Sequence, residues 1–339
     1  MAEILFLSLF VLMVLGLPVA FAMAISVFAA IGLGSSYPQI VVVKEMFSGL
    51  DSFPLLAVPF FILAAEIMTG GAITQTLLRF AAQFVGHLRG GLGYANVISS
   101  TMFAGISGSA LADAAGPGAM MIRMMEKGGY DRPYAGALTI SSAVVGPIIP
   151  PSIVMIIYAL QDQQVSVGSL FMAGVVPGLL LACGSLAANG WVSWKRDYRS
   201  VDARPDRAQM WRNTFMALPA LGLIVLIVGG IRGGIFTPTE AGAVGAFLSL
   251  VVAAIKRSLT WQRFRDAILE TLLTTSALII IAVGASLLTR FLALSGAGDF
   301  LSDLIIGLDA STVVILLAIV LVYVMLGMFL EPIGAMLLT

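Results

Sequence analysis

Gly105-Ile106-Ser107-Gly108-Ser109-Ala110-Leu111-Ala112-Asp113 lies in the middle of a long apolar stretch, residues 92–122, closed by Arg89 before it and by Arg123 and Lys127 after it. Basic residues beside membrane segments mark the cytoplasmic side. Six of them fall between Lys195 and Arg212 and four between Lys256 and Arg265. The two apolar segments separating these loops, 214–231 and 237–255, make an even number of crossings, so both loops face the cytoplasm. Counting back, segment 166–194 runs inward, Asp162 lies outside, and segment 134–160 runs outward from Arg132. Arg123, Lys127 and Arg132 are then inside, together with Arg79 and Arg89 beyond segment 54–72. Residues 92–122 therefore enter and leave by one face. The expectation is a re-entrant hairpin with Gly105–Ser109 at its tip, because non-helical backbone at membrane depth is tolerated only when it is buried in protein or lines a cavity. A close-packed pair of small-residue helices is the plainer alternative, and it violates the charge parity.

The composition agrees with a membrane setting. Of 339 residues 59% are apolar and 11% charged, with 18 Lys+Arg against 18 Asp+Glu. A soluble protein carries about 25% charged residues. Apolar runs of roughly 18–25 residues fit helices crossing a hydrocarbon core about 30 Å thick, and the alternation of barrel strands is missing. The fold class is all-α and polytopic. Residues Glu3 to Gly34, interrupted at Gly16-Leu17-Pro18, read as two short tilted helices, and a last apolar segment follows 268–290 at 311–339. Zero net charge argues against a nucleic-acid partner. One cysteine, Cys183, and one histidine, His87, leave little for a disulfide framework or a transition-metal site. On this count 15 of the 18 basic residues are cytoplasmic, leaving Lys44, Arg232 and Arg290 outside or at the interface. Trp191, Trp194 and Trp211 beside the basic loop read as interfacial anchors in contact with membrane lipid. There is no signal-peptide pattern.

The pattern of helix breakers recurs with opposite orientation. Met68-Thr69-Gly70-Gly71-Ala72 and Leu294-Ser295-Gly296-Ala297-Gly298 each end an apolar span, turn through small residues and continue amphipathically. A hairpin-like segment follows each, 92–122 from the cytoplasm and 311–339 from outside, the second with Gly327 and Glu331-Pro332 at its expected tip. Leu17-Pro18 and Thr237-Pro238 each put proline at a helix start, where its missing N–H costs nothing. Residues 1–212 and 213–339 are thus expected to be inverted-topology repeats, the sequence sign of a secondary transporter. The second repeat stops within its hairpin, so about 80–100 further residues are expected beyond Thr339 by the repeat length.

Candidate residues follow from the breaks. In Ser141-Ser142-Ala143-Val144-Val145-Gly146-Pro147-Ile148-Ile149-Pro150-Pro151-Ser152 three prolines remove three donors and free upstream carbonyls. Free carbonyls and serine hydroxyls suit a dehydrating Na⁺. The cation-site candidates are Gly105, Ser107, Gly108, Ser109, Gly146 and Pro147. Along the transport path stand Ser141, Ser142, Pro150, Pro151, Ser152, Asp113, Glu331 and Pro332. Asp113, the one acid in 92–122, either contacts the ion or caps or hydrogen-bonds the second arm; an intramembrane acid is a functional candidate by default. Glu66 is either functional or a structural partner of a serine or amide, and Glu240 suits the positive end of a helix. No GxxxxGK[ST] loop, HExxH or paired catalytic carboxylates occur, so neither ATP-driven pumping nor an enzyme is expected, and no cofactor.

Six motifs in order resemble a known family across the whole chain: Gly16-Leu17-Pro18-Val19-Ala20-Phe21, Gly49-Leu50-Asp51-Ser52-Phe53-Pro54, the 105–113 stretch, Gly146–Ser152, Gly233-Gly234-Ile235-Phe236-Thr237-Pro238-Thr239-Glu240-Ala241 and Gly327-Met328-Phe329-Leu330-Glu331-Pro332. They are similar to the large membrane subunit, DctM-like, of tripartite ATP-independent periplasmic (TRAP) transporters. The resemblance implies an elevator-type fold of the ion transporter superfamily in the bacterial inner membrane. It also implies a small DctQ-like membrane subunit and a DctP-like periplasmic substrate-binding protein as partners, and Na⁺-coupled uptake of a carboxylate-bearing solute such as a dicarboxylate or sugar acid. The hairpin tip and broken helix match the family's first Na⁺ region. Inverted hairpins serve equally a stand-alone anion symporter or antiporter that needs no binding protein, and that reading stays open here.

Overall fold

The computed structural model describes residues 2–34, 38, 40–51, 53–69, 72–161, 164–199, 205–295, 303, 307, 311–328 and 332–338. The described residues are helical or in the links between helices, and they pack as two compact units. One holds Met1–Ser52 with Ser276–Thr339, the other Phe53–Thr275.

In the first unit, Gly16 at φ +82° turns the chain between helix α1 (Ala2–Val14) and helix α2 (Val19–Gly34), the short pair expected from the Gly16–Pro18 break. Helix α3 (Ile40–Leu50) is an addition to the expected spans; Lys44 and Glu45 interrupt its apolar run, and Glu45 sits 3.6 Å from Arg290. Gly284 lets the later helix press against α2, since a Cβ there would stand 3.1 Å from the Ala20 carbonyl. The helix Thr312–Gly327 has no buried residue, and Pro332 starts the short helix Pro332–Leu338. Glu331 lies outside the described residues.

The second unit contains the hairpin stretch and the break that follows it. After a 3₁₀ turn at Phe53–Leu56 come α4 (Ala57–Thr69) and α5 (Ala72–Val85), a pair bent by 73°. Then α6 (Gly91–Ser107) ends at Gly108, whose φ of +58° is the left-handed region that a side chain resists. Ser109 restarts the helix: extended at φ −132°, it accepts from Ala112 N and caps α7 (Ala110–Asp113). Pro117 has no N–H to give, and the chain absorbs it in a π turn, Ala114–Gly118, before α8 (Ala119–Lys127). A Cβ at Gly118 would lie 2.8 Å from the Asp113 carbonyl, so only glycine fits that turn. The two arms run antiparallel, for Asn96 near the start of α6 meets Met125 near the end of α8 with Nδ2–Sδ at 3.5 Å.

Next stands the broken segment: α9 (Arg132–Ala143), nine non-helical residues and α10 (Ile153–Gln161), with Pro150-Pro151 joined by a cis bond. Helices α11 (Val167–Lys195), α12 (Arg207–Arg232), α13 (Pro238–Ile255) and α14 (Trp261–Leu294) are long and apolar enough to cross a membrane, and α4 with α5 passes as one bent span. Neither hairpin arm is among these spans. A capping box fixes the start of α13: Thr237 N donates to Glu240 Oε2 at 2.8 Å and Glu240 N to Thr237 Oγ1 at 3.3 Å, which gives Glu240 the helix-start role expected of it. At Gly242 a Cβ would be 3.1 Å from Phe60 Cβ, so α13 and α4 approach closely along a seam of small residues. Lys256 Nζ donates to the Met216 carbonyl at 2.7 Å and Gln83 Nε2 to Thr214 Oγ1 at 3.1 Å, tying α13 and α5 to α12.

Candidate functional site

The tip of the hairpin is pressed against the break in the following helix. A Cβ on Gly108 would fall 2.6 Å from the Pro151 carbonyl oxygen and 3.2 Å from Ile153 N. One on Gly146 would fall 3.1 Å from Asp113 Oδ2 and 3.2 Å from the Ser109 carbonyl carbon, and one on Gly105 would face the Pro150 carbonyl at 3.6 Å. Small residues on both sides are what permits backbone to meet backbone here. The structure therefore brings together Gly105, Ser107, Gly108, Ser109, Asp113, Gly146, Pro150, Pro151 and Ser152, which lie far apart along the chain.

Ser107 is 2% exposed, and its hydroxyl donates to Asp113 Oδ1 at 2.6 Å, bridging the arms. Ser109 N donates to Ser107 Oγ at 3.3 Å. Asp113 is 1% exposed, and its second oxygen, Oδ2, has no partner among the described residues. The capping of the second arm belongs to Ser109; Asp113 instead bonds across to the first arm. A carboxylate oxygen without a donor is a costly thing to bury.

The break has the same character. Ile148 N and Ile149 N return to the Val145 carbonyl at 3.1 and 3.0 Å, and Gly146 N to Ala143 at 2.9 Å. Ser152 closes the loop, its hydroxyl donating to the Pro147 carbonyl while its oxygen accepts from Met155 N at 3.2 Å. Pro147 thus has its carbonyl engaged in the turn. The carbonyls of Gly146, Pro150 and Pro151 accept no hydrogen bond from the described residues. Carbonyls, a carboxylate oxygen and serine hydroxyls are oxygen ligands of the kind that hard cations take.

Of the other candidates, Ser141 is exposed and its hydroxyl turns back to the Leu138 carbonyl at 3.1 Å. Ser142 is fully buried between α9 and α6, 3.1 Å from Ser100 Oγ. Pro332 belongs to the other unit and is exposed. Glu66 is half-buried at a cavity of about 170 Å³ that also receives Ser258, Arg263, Asp266 and Glu270.

Sequence reasoning passed over the hairpin's opposite end, its root. Here Asn189 Nδ2 donates to the Gly90 carbonyl at 3.1 Å, while Tyr134 and Ser193 hydroxyls donate to Asn189 Oδ1 at 3.0 and 3.3 Å. Gly90 N donates to the Tyr198 carbonyl at 3.0 Å. Tyr198 stacks on Tyr130 with centroids 4.2 Å apart and donates to Asp131 at 3.0 Å, and Arg196 pairs with the same carboxylate. The Tyr198 hydroxyl, followed by Asp131, raises the Arg196 guanidinium further above its already high range. Arg89 pairs with Asp197, which sits at φ +53°. The signal that would have found this site was Asn189, an amide standing alone in an apolar span.

Apolar helices of spanning length, together with a hairpin whose tip is seated on a proline-broken helix, define a polytopic membrane protein with an oxygen-lined site inside the protein. The chain belongs to the family of the tripartite ATP-independent periplasmic transporter, DctM component, whose family model matches residues 6–339. It is 35% identical to the sialic acid TRAP transporter large permease protein of Vibrio cholerae over 324 residues, 95% of this chain and 75% of that protein. It is 33% identical to the 2,3-diketo-L-gulonate TRAP transporter large permease protein of Escherichia coli, over 94% of this chain and 74% of the relative. Against the isethionate TRAP transporter permease protein of Oleidesulfovibrio alaskensis the identity is 32%, over 95% of this chain and 51% of the relative.

Proposed function

We propose that this chain is the large membrane subunit of a Na⁺-coupled secondary transporter in the bacterial inner membrane. It imports a carboxylate-bearing solute, a dicarboxylate or sugar acid, handed over by a periplasmic binding protein and admitted together with a small membrane subunit. The observations that carry the cation are Asp113 Oδ2, buried beside Gly146 with no partner among the described residues, and the Pro150 and Pro151 carbonyls, which face Gly105 and Gly108 and accept no hydrogen bond from the described residues. Ser107 orients the carboxylate through its 2.6 Å bond, and Ser109 offers its hydroxyl at the cap. A dehydrated Na⁺ would find oxygen ligands from two separate breaks, so its binding would draw the hairpin onto the broken helix. The hairpin is read as re-entrant, its root on the cytoplasmic side as the flanking basic residues imply. Movement of hairpin and broken helix as one body, with alternating access, is the elevator expectation of inverted repeats.

Sialic acid and diketogulonate, named for two relatives, are sugar acids; isethionate, named for a third, is a sulfonate. An anionic head group is what those solutes share, and it sets the probes for the test. The intact transporter is reconstituted in proteoliposomes under an inward Na⁺ gradient, and uptake of labelled sialic acid, diketogulonate and isethionate is measured with and without the binding protein. Uptake of at least one of the two sugar acids, dependent on both Na⁺ and the binding protein, is expected; uptake of isethionate alone would overturn the carboxylate assignment. Transport of free solute by the membrane subunits alone would instead favour the stand-alone symporter or antiporter.

A further inference from the structure

Between root and tip, the first hairpin arm meets the broken helix through polar contacts sealed from solvent. Asn96 Nδ2 donates to Thr139 Oγ1 at 2.7 Å, and the Thr139 hydroxyl passes its own proton to the Ala135 carbonyl at 2.8 Å. One turn further along both helices, the Ser142 hydroxyl lies 3.1 Å from Ser100 Oγ and 3.0 Å from the Thr139 carbonyl. Asn96, Thr139 and Ser142 are 0% exposed and Ser100 is 5% exposed. Another turn on, the same two faces pack Ala104 against Val145, and the next residues are Gly105 and Gly146 of the candidate cation site. The contacts form a ladder that runs along α6 and α9 directly into the site.

Stability does not account for this ladder. Asn96 Oδ1 has no partner among the described residues, and a buried acceptor left unmatched costs free energy that an apolar side chain of the same shape would not. What a directional amide-to-hydroxyl bond adds, and a leucine cannot, is register. Helices packed through small apolar side chains alone can slide or rotate against each other at little cost. A sliding α6 would carry Gly105 and Ser107 away from Gly146 and the proline carbonyls.

We propose that Asn96, Ser100, Thr139 and Ser142 are positioning residues: a buried polar seam that locks the hairpin arm to the broken helix in one register and so sets the spacing of the oxygen ligands at the tip. This rests on the cation reading above, and it assigns Ser142 to the seam instead of to the path of the solute.

The test compares Thr139→Val, which keeps the shape and loses the hydroxyl, with Thr139→Ser, which keeps the hydroxyl, and with Asn96→Leu. Each is made in the intact transporter in nanodiscs. ²²Na⁺ binding is titrated, with K⁺ holding ionic strength constant, and amide hydrogen exchange is followed across residues 104–113. Thr139→Val and Asn96→Leu are expected to raise half-saturating Na⁺ about fivefold or more, roughly the worth of one hydrogen bond, and to deprotect 104–113. Thr139→Ser should stay near the parent protein in both. The seam is overturned if Thr139→Val matches the parent in Na⁺ affinity and exchange, or if Thr139→Ser is as damaged as Thr139→Val, which would reduce the position to packing. Ser107→Ala separates the two ideas. If it leaves ²²Na⁺ binding untouched while the seam variants still loosen 104–113, the cation reading fails and the positioning role survives.

Discussion

The two ends of one hairpin use similar residues for opposite purposes. At the root, Asn189, Tyr134, Ser193, Tyr198 and Asp131 direct their polar atoms to one another and to the backbone of Gly90. Among the described residues the exceptions there are His87 Nδ1 and the Tyr130 hydroxyl, which lies beside the Leu92 and Gly93 backbone without meeting hydrogen-bond geometry. At the tip, Asp113 Oδ2 and the carbonyls of the buried Gly146, Pro150 and Pro151 accept no hydrogen bond from the described residues. Glycine is used at both ends to bring surfaces close: Gly93 would meet Asn189 Cγ at 2.7 Å if it carried a Cβ, and Gly108 would meet the Pro151 carbonyl. What separates the root from the proposed cation site is therefore the state of the acceptors, not the residue types: the root's polar groups are largely matched by one another, whereas the tip gathers several acceptors without donors among the described residues.

Substitutions that close or crowd the tip should have the largest effects. Gly108→Ala forces a side chain into left-handed backbone, at about 1–2 kcal/mol, and drives its Cβ against Pro151. Na⁺-dependent uptake in proteoliposomes is expected to vanish while the protein still purifies as a single species. Ser107→Ala removes the side-chain donor that the Asp113 carboxylate has among the described residues. A hydrogen bond to a charged group contributes about 1.5–3 kcal/mol, so half-saturating Na⁺ in the same assay should rise at least about tenfold.

The root should respond in stability and not in ion affinity. Tyr134→Phe removes the 3.0 Å bond to Asn189 and nothing of the ring stack. A loss of about 1 kcal/mol corresponds to a fall of about 2–4 °C in thermal melting, with Na⁺ affinity unchanged; a shift in affinity instead would erase the distinction between the two ends. Smaller again is Arg89→Ala, whose ion pair with Asp197 is about half exposed on both sides. Its effect on melting should lie below about 1 kcal/mol and disappear in high salt. Gly136→Ala marks the baseline: a Cβ there meets nothing within 4 Å, and melting should be unchanged or slightly raised.

Much of the second unit is legible in the amino-acid sequence alone. The hairpin, its Gly105–Ser109 tip and the interruption at Gly146–Ser152 can be read there because glycine and proline act through their own backbone, within a few residues of where they stand. Span limits blur where charge is mixed into an apolar face. Helix α3 escapes a reading by hydropathy because of Lys44 and Glu45, and α14 begins at Trp261, ahead of the expected residue 268, because its first two turns are polar. The seam is not legible at all. Asn96 and Thr139 are 43 residues apart and Ser100 and Ser142 are 42 apart; taken singly, each is an unremarkable polar residue in a helix.

Composition and charge flanks were enough to point to a membrane setting, local backbone chemistry to the places where the helices break, and six motifs in order to the family the chain resembles. None of those properties needs knowledge of distant contacts. Which breaks meet, and which oxygens are left open, was settled by tertiary packing alone. That Asp113 Oδ2 comes to lie beside Gly146, or that Asn96 finds Thr139, depends on how the hairpin and α6 are laid against α9 and its break. That placement comes from side-chain packing over many turns, and no single stretch of the chain contains it.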